Sequence, residues 1–145
     1  VLAGQGPHSS LAVRRGRDIA EARGLDLVVA NVQPPDGEEG ESPEDAGGAL
    51  VGGVADRAGV DPDEYESQVW VGDDVTATIL TNLKREDLVC LGATRSTAVA
   101  RALFGSIPER IASQAPGTVA IVRGPQYRPR SLLQAIAERL GFRAS

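Results

Sequence analysis

A chain of 145 residues can close one hydrophobic core and is too short for two ordinary domains. Its net charge of −5 argues against a nucleic-acid partner, because phosphate binding needs a basic face. Aromatic residues make up only 3% of the chain, so the core must be built from Val, Leu, Ile and Ala, which suits parallel strands buried on both faces. A single cysteine, Cys90, rules out an internal disulfide or a cysteine-rich metal cluster and fits a reducing, cytoplasmic compartment. No apolar run approaches the roughly 20 residues of a membrane span.

In chain order, Val1–Gln5 reads as a short first strand that turns at Gly6-Pro7. The start on a strand without methionine suggests a domain cut from a longer protein. Ser9 or Ser10 is expected to cap a helix running to about Arg23, with Gly24 as its stop. Leu25 to Val32 is a nearly continuous apolar run and reads as a central buried strand, ended by Pro34-Pro35. Residues 36–48 hold six acidic residues and four glycines without apolar periodicity, so a solvated loop is expected. A short helix near Ala49–Ala58 follows, weakened by Gly52 and Gly53.

Val69, Trp70 and Val71 place the next strand at Tyr65–Val71, after which Asp73 or Asp74 caps a helix carrying Val75, Ile79, Leu80 and Leu83. Asp87–Leu91 is a further buried strand ending at Gly92, and Cys90 is most simply a small core residue within it. A helical stretch covers Thr97–Phe104, breaks at Gly105-Ser106 and resumes to about Gln114. Thr118–Val122 forms the last strand, and Ser131–Leu140 an amphipathic tail helix. This divides the chain into a domain over 1–124 and a C-terminal tail over 125–145. Five strands joined by right-handed helical crossovers make a three-layer, Rossmann-like α/β fold with a parallel sheet. Ligands of such sheets bind beyond the carboxyl ends of the strands, here the loops after strands one, two and four.

The segment that carries chemistry is Gly92-Ala93-Thr94-Arg95, nine further residues, then Gly105-Ser106-Ile107-Pro108-Glu109-Arg110. Gly92 would let a ligand approach the backbone closely. Gly105-Ser106 would open a helix whose free N–H groups hold a phosphate. His8, the lone histidine, lies in the first loop and reads as a helix-entry residue. No serine or cysteine has a histidine and a carboxylate at a recognisable triad spacing, and no P-loop lysine is present. Regulatory binding is therefore expected rather than catalysis.

The glycine pattern, with strands around it in this order, resembles the universal stress protein family, whose signature is Gly, two residues, Gly, nine residues, Gly, Ser/Thr. That resemblance implies an adenine nucleotide alpha hydrolase-like fold binding ATP or AMP, and a homodimer paired through the last strand, Thr118–Val122. Carried over residue by residue, Gly92, Gly105, Ser106 and Ile107 match phosphate and ribose contacts, with Thr94 in the same loop. Val32 matches the residue whose backbone reads adenine. Two positions depart from the pattern. Arg95 replaces the second signature glycine, either obstructing phosphate or clamping it, and Gln5 or Gly6 stands where the family has an aspartate. The wording from Gly92 to Glu109 is similar to cytosolic domains attached to amino-acid permeases and related transporters. A nucleotide-free dimerisation module of the same fold is the alternative reading.

Overall fold

Two helices lie on each side of a parallel sheet in the computed structural model, which describes residues 1–37, 40–93 and 107–124. Helix α1, Ser9–Arg23, ends where expected: Gly24 adopts the left-handed conformation (φ 63°, ψ 40°) and its N–H reaches back to the Ala20 and Glu21 carbonyls. Its start differs from expectation. The N-cap is His8, whose side chain makes no cap bond, while the Ser9 hydroxyl accepts the Gly4 N–H at 2.8 Å. Ser9 therefore folds the first loop back onto the helix instead of capping it.

Strand β1, Val28–Gln33, is followed by helix α2, Pro43–Ala58. This helix begins well inside the stretch expected to be loop. Its start carries clear physical causes: Ser42 accepts the Asp45 N–H at 3.1 Å, Pro43 occupies the first turn, and Glu44 and Asp45 meet the positive end of the helix dipole. Arg14 and Arg17 of α1 donate to the Ala58 and Gly59 carbonyls at the far end of α2. Strand β2, Glu66–Val71, then helix α3, Val75–Asn82, follow, and the capping residue is Asp74, which accepts the Ala77 N–H at 2.9 Å. Strand β3, Leu88–Gly92, helix α4, Ile107–Gln114, and strand β4, Thr118–Val122, complete the described residues. The stretches expected as helices at Thr97–Phe104 and Ser131–Leu140, and the tail over 125–145, lie outside them.

The sheet corrects the expectation of five strands: among the described residues four are formed, β1 parallel to β2 and β3 parallel to β4. The segment expected as strand one contributes a single bridging residue. Leu2 pairs in parallel with Ala30 of β1 and Leu91 of β3, through Leu2 N–H to the Cys90 carbonyl (2.9 Å) and Ala3 N–H to the Ala30 carbonyl (2.8 Å). Beyond Ala3 the ladder stops, because the Gly4 N–H turns to Ser9. The order across the sheet is therefore β2, β1, the Leu2 segment, β3, β4.

Two aliphatic clusters cover the faces. Val13, Val29, Val51, Val54 and Ala55 pack where α1 and α2 lie, and Ile79, Val89, Leu91 and Ile111 where α3 and α4 lie. Cys90 is buried between its neighbours, and that burial pushes its thiol pKa up. The scarcity of aromatics has the consequence expected of it: small branched side chains pack a parallel sheet on both sides.

Candidate functional site

Strands are added on opposite sides of the Leu2 segment, β1 then β2 on one side and, after α3 crosses back, β3 then β4 on the other. This is the switch point of the fold, where the loops after neighbouring strands diverge and leave a crevice. A cleft of about 410 Å³ opens there, within the range of roughly 300–1,000 Å³ usual for small-molecule sites. A second depression, about 440 Å³, lies among Ile19, Leu25, Gln68 and Lys84 at the other ends of the strands, where the fold provides no diverging loops.

The two walls of the cleft differ because a strand alternates its side chains between faces. Val29 belongs to the cluster under α1 and α2, so Asn31 and Gln33 share that side. Val32 belongs with the opposite cluster, beside Ile79, Leu91 and Ile111. The cleft thus has an amide and hydroxyl wall of Ser9, Asn31 and Gln33, with Gln5 at its rim. Facing it is an aliphatic wall of Val32, Val75, Ile79, Leu91 and Ile111. None of the described lining residues carries an ionisable side chain.

The polar wall is ordered by a chain of hydrogen bonds. Asn31, 6% exposed, donates from Nδ2 to the Ala3 carbonyl at 2.9 Å, and its Oδ1 accepts from Gln33 Nε2 at 2.7 Å. A buried amide left without partners would cost about 1–3 kcal/mol, so this pairing keeps Asn31 tolerable inside the sheet. It also ties the loop after the Leu2 segment to the end of β1. Reading the sequence did not single out Asn31 or Gln33. The available signal was Asn31 as the one amide interrupting an apolar run.

Of the residues expected at the site, Gln5, Gly6, Val32, Gly92 and Ile107 all line this cleft. Thr94, Arg95, Gly105 and Ser106 lie outside the described residues. Gln5 and Gly6 are exposed at the rim, so the position where the family carries an aspartate presents a neutral amide to solvent. Gly92 has a second reason to be glycine. A Cβ there would come within 2.8 Å of the His8 carbonyl carbon and 2.9 Å of its oxygen, so the entry to α1 already occupies that space. His8 is indeed a helix-entry residue; its Nδ1 accepts the Gly124 N–H at 3.2 Å and joins α1 to the exit of β4. No group of three or more His, Cys, Asp or Glu side chains suited to a metal occurs among the described residues.

Comparison with known proteins agrees with this architecture. The chain is similar over 83% of its length to a universal stress protein solved in complex with cAMP, at 24% identity, covering 94% of that chain with a TM-score of 0.64. It is similar over 85% of its length to universal stress protein UspA from Lactobacillus plantarum, at 19% identity, covering 94% of that chain with a TM-score of 0.56. At these identities the likeness establishes the fold alone. No curated protein matches the chain. The sequence model of the universal stress protein family matches residues 1–123, which take in every described strand and the whole described cleft. The chain therefore belongs to the universal stress protein family.

Proposed function

We propose that this domain binds an adenine nucleotide, ATP or AMP, in the switch-point cleft, as a regulatory signal rather than as a substrate. The observation that carries the reading is the pairing of walls. An aliphatic surface suits the flat face of a base, and the amides opposite suit its hydrogen-bonding edge. The phosphates would then lie toward Gly92 and the start of α4 at Ile107, where the signature segment returns to the cleft. The complex of a structural neighbour with cAMP supports an adenine ligand. A described lining without ionisable side chains supports binding over acid–base chemistry. In the same reading the domain regulates a linked amino-acid transporter from the cytosolic side. No helix among the described residues is long and apolar enough to cross a membrane itself.

Calorimetric titration of the full chain with ATP and AMP tests this. Loss of the aspartate removes a charged hydrogen bond of about 1.5–3 kcal/mol, so affinity about ten- to a hundredfold below a site retaining it is expected. Arg95→Gly then separates clamp from obstacle: weaker binding assigns the guanidinium to phosphate, and tighter binding makes it a block. Ser106→Ala weakens binding in either case. Heat-silent titrations at millimolar ATP, AMP and ADP would overturn the proposal.

The alternative reading, a nucleotide-free dimerisation module, rests on the open edge of the sheet alone. Strand β4 pairs with β3 on one side, no described residue pairs with its other edge, and Ile121 stands 45% exposed on it. A homodimer through Thr118–Val122 is part of both readings.

A further inference from the structure

The hydrogen-bond chain in the polar wall has a direction, and the direction is dictated by its buried end. The Ala3 carbonyl can only accept, so the amide face of Asn31 turned toward it must be Nδ2. That leaves Asn31 Oδ1 on the other side, and an oxygen there requires a donor, which is Gln33 Nε2 at 2.7 Å. The remaining atom of the Gln33 amide is therefore Oε1, an acceptor with no hydrogen-bond partner among the described residues. One backbone carbonyl thus sets the polarity of a side chain two links away.

Gln33 is also held more firmly than a surface amide. Its carbonyl accepts the Gly72 N–H at 3.0 Å, and its stem runs beside α2, where a Cβ on Gly47 would lie 3.2 Å from Gln33 Cγ. Gln5, the other glutamine of the cleft, is exposed on the rim without such support. A group fixed before binding discriminates between ligands better than one that must be ordered by them.

We infer that Gln33 is the specificity-determining residue of the cleft, presenting a fixed acceptor that selects a base carrying an exocyclic amino group over one carrying an oxo group. This rests on the adenine-nucleotide reading above and adds to it a side chain that reads the base beside the backbone of Val32. The placement follows from the walls. A base lying against Val32, Val75 and Ile79 turns its edge toward β1, while the phosphates point to Gly92 on the far side of the Leu2 segment. An amino group donates to Oε1; an oxo group at the same position sets two acceptors against each other and leaves both unpaired.

ATP and inosine triphosphate share phosphates and ribose and differ at the base edge, in the 6-substituent and in the proton on N1. Their ratio therefore isolates that edge, and its change on substituting Gln33 isolates the contact to this residue. Calorimetry on the full chain should give an ATP preference of about tenfold, the worth of one hydrogen bond at a partly buried site. Gln33→Met, which keeps the stem and removes the amide, should bring the ratio close to one by weakening ATP. Gln33→Leu should do the same with a different shape, and circular dichroism checks that each variant is folded. A merely structural role for Gln33 would weaken both nucleotides equally and leave the ratio unchanged. Retention of the parent ratio in the folded variants overturns the inference, as does a parent that binds inosine triphosphate as well as ATP. A parent that binds neither overturns the adenine-nucleotide reading itself, and this assignment with it.

Discussion

Adjacent glycines in α2 offer a test of the packing that sequence reading missed. Gly47 and Gly48 both lie past the first turn of the helix, and neither has a positive φ. Replacing either with alanine removes the same backbone freedom from the unfolded chain and gains about 1 kcal/mol of helix propensity. The surroundings differ. A Cβ on Gly48 meets nothing within 4 Å, whereas one on Gly47 would come within 2.5 Å of Val69 Cγ1 and 2.8 Å of Cγ2 on β2. Val69 has few rotamers to move into, so overpacking of about 1–3 kcal/mol is expected. Gly48→Ala should therefore stabilise the protein by up to about 1 kcal/mol, and Gly47→Ala should be neutral to destabilising by about 2 kcal/mol. The propensity gain cancels between them, so their difference reports the contact alone. Urea unfolding with an unchanged slope reads it as a midpoint separation on the order of 1 M. Equal stabilisation by both substitutions would refute the packing of this face of α2 on β2.

Three further outcomes follow from single contacts. Asp74→Ala removes the cap of α3 and should cost about 1 kcal/mol in urea unfolding, with Asp74→Asn recovering most of it. Burial raises the Cys90 thiol pKa, so the folded state keeps its proton while the unfolded state releases it. The contribution to stability is full below the unfolded pKa of about 8.5 and is lost as pH rises above it, and alkylation at pH 8 should require unfolding. Ile121→Lys places a charge on the exposed edge strand and should convert the proposed homodimer to monomer in analytical ultracentrifugation, leaving the fold's circular dichroism unchanged.

Much of the fold was legible because its signals are local. Gly24 stops α1, Asp74 starts α3, and the apolar runs at Val28–Gln33, Leu88–Gly92 and Thr118–Val122 need only their neighbours in sequence to declare themselves as strands. The start of α2 was written just as locally, in Ser42-Pro43-Glu44-Asp45. It was obscured by the surrounding acidic and glycine-rich composition, and Gly47, which looks like a helix breaker, is required by its contact with Val69.

The sequence by itself determined the αβ alternation, the aliphatic two-sided core and the family, through strand runs, helix stops and glycine spacing that act over a few residues. Only the tertiary structure decided how far the first segment pairs, which group occupies the space at Gly92, and which atoms face the ligand. Each of these depends on residues far apart in the chain: Leu2 on Ala30 and Leu91, Gly92 on His8, and the Gln33 acceptor on the Ala3 carbonyl through Asn31. Hydrogen-bond polarity and steric exclusion act through space, and periodicity along the chain carries no record of either.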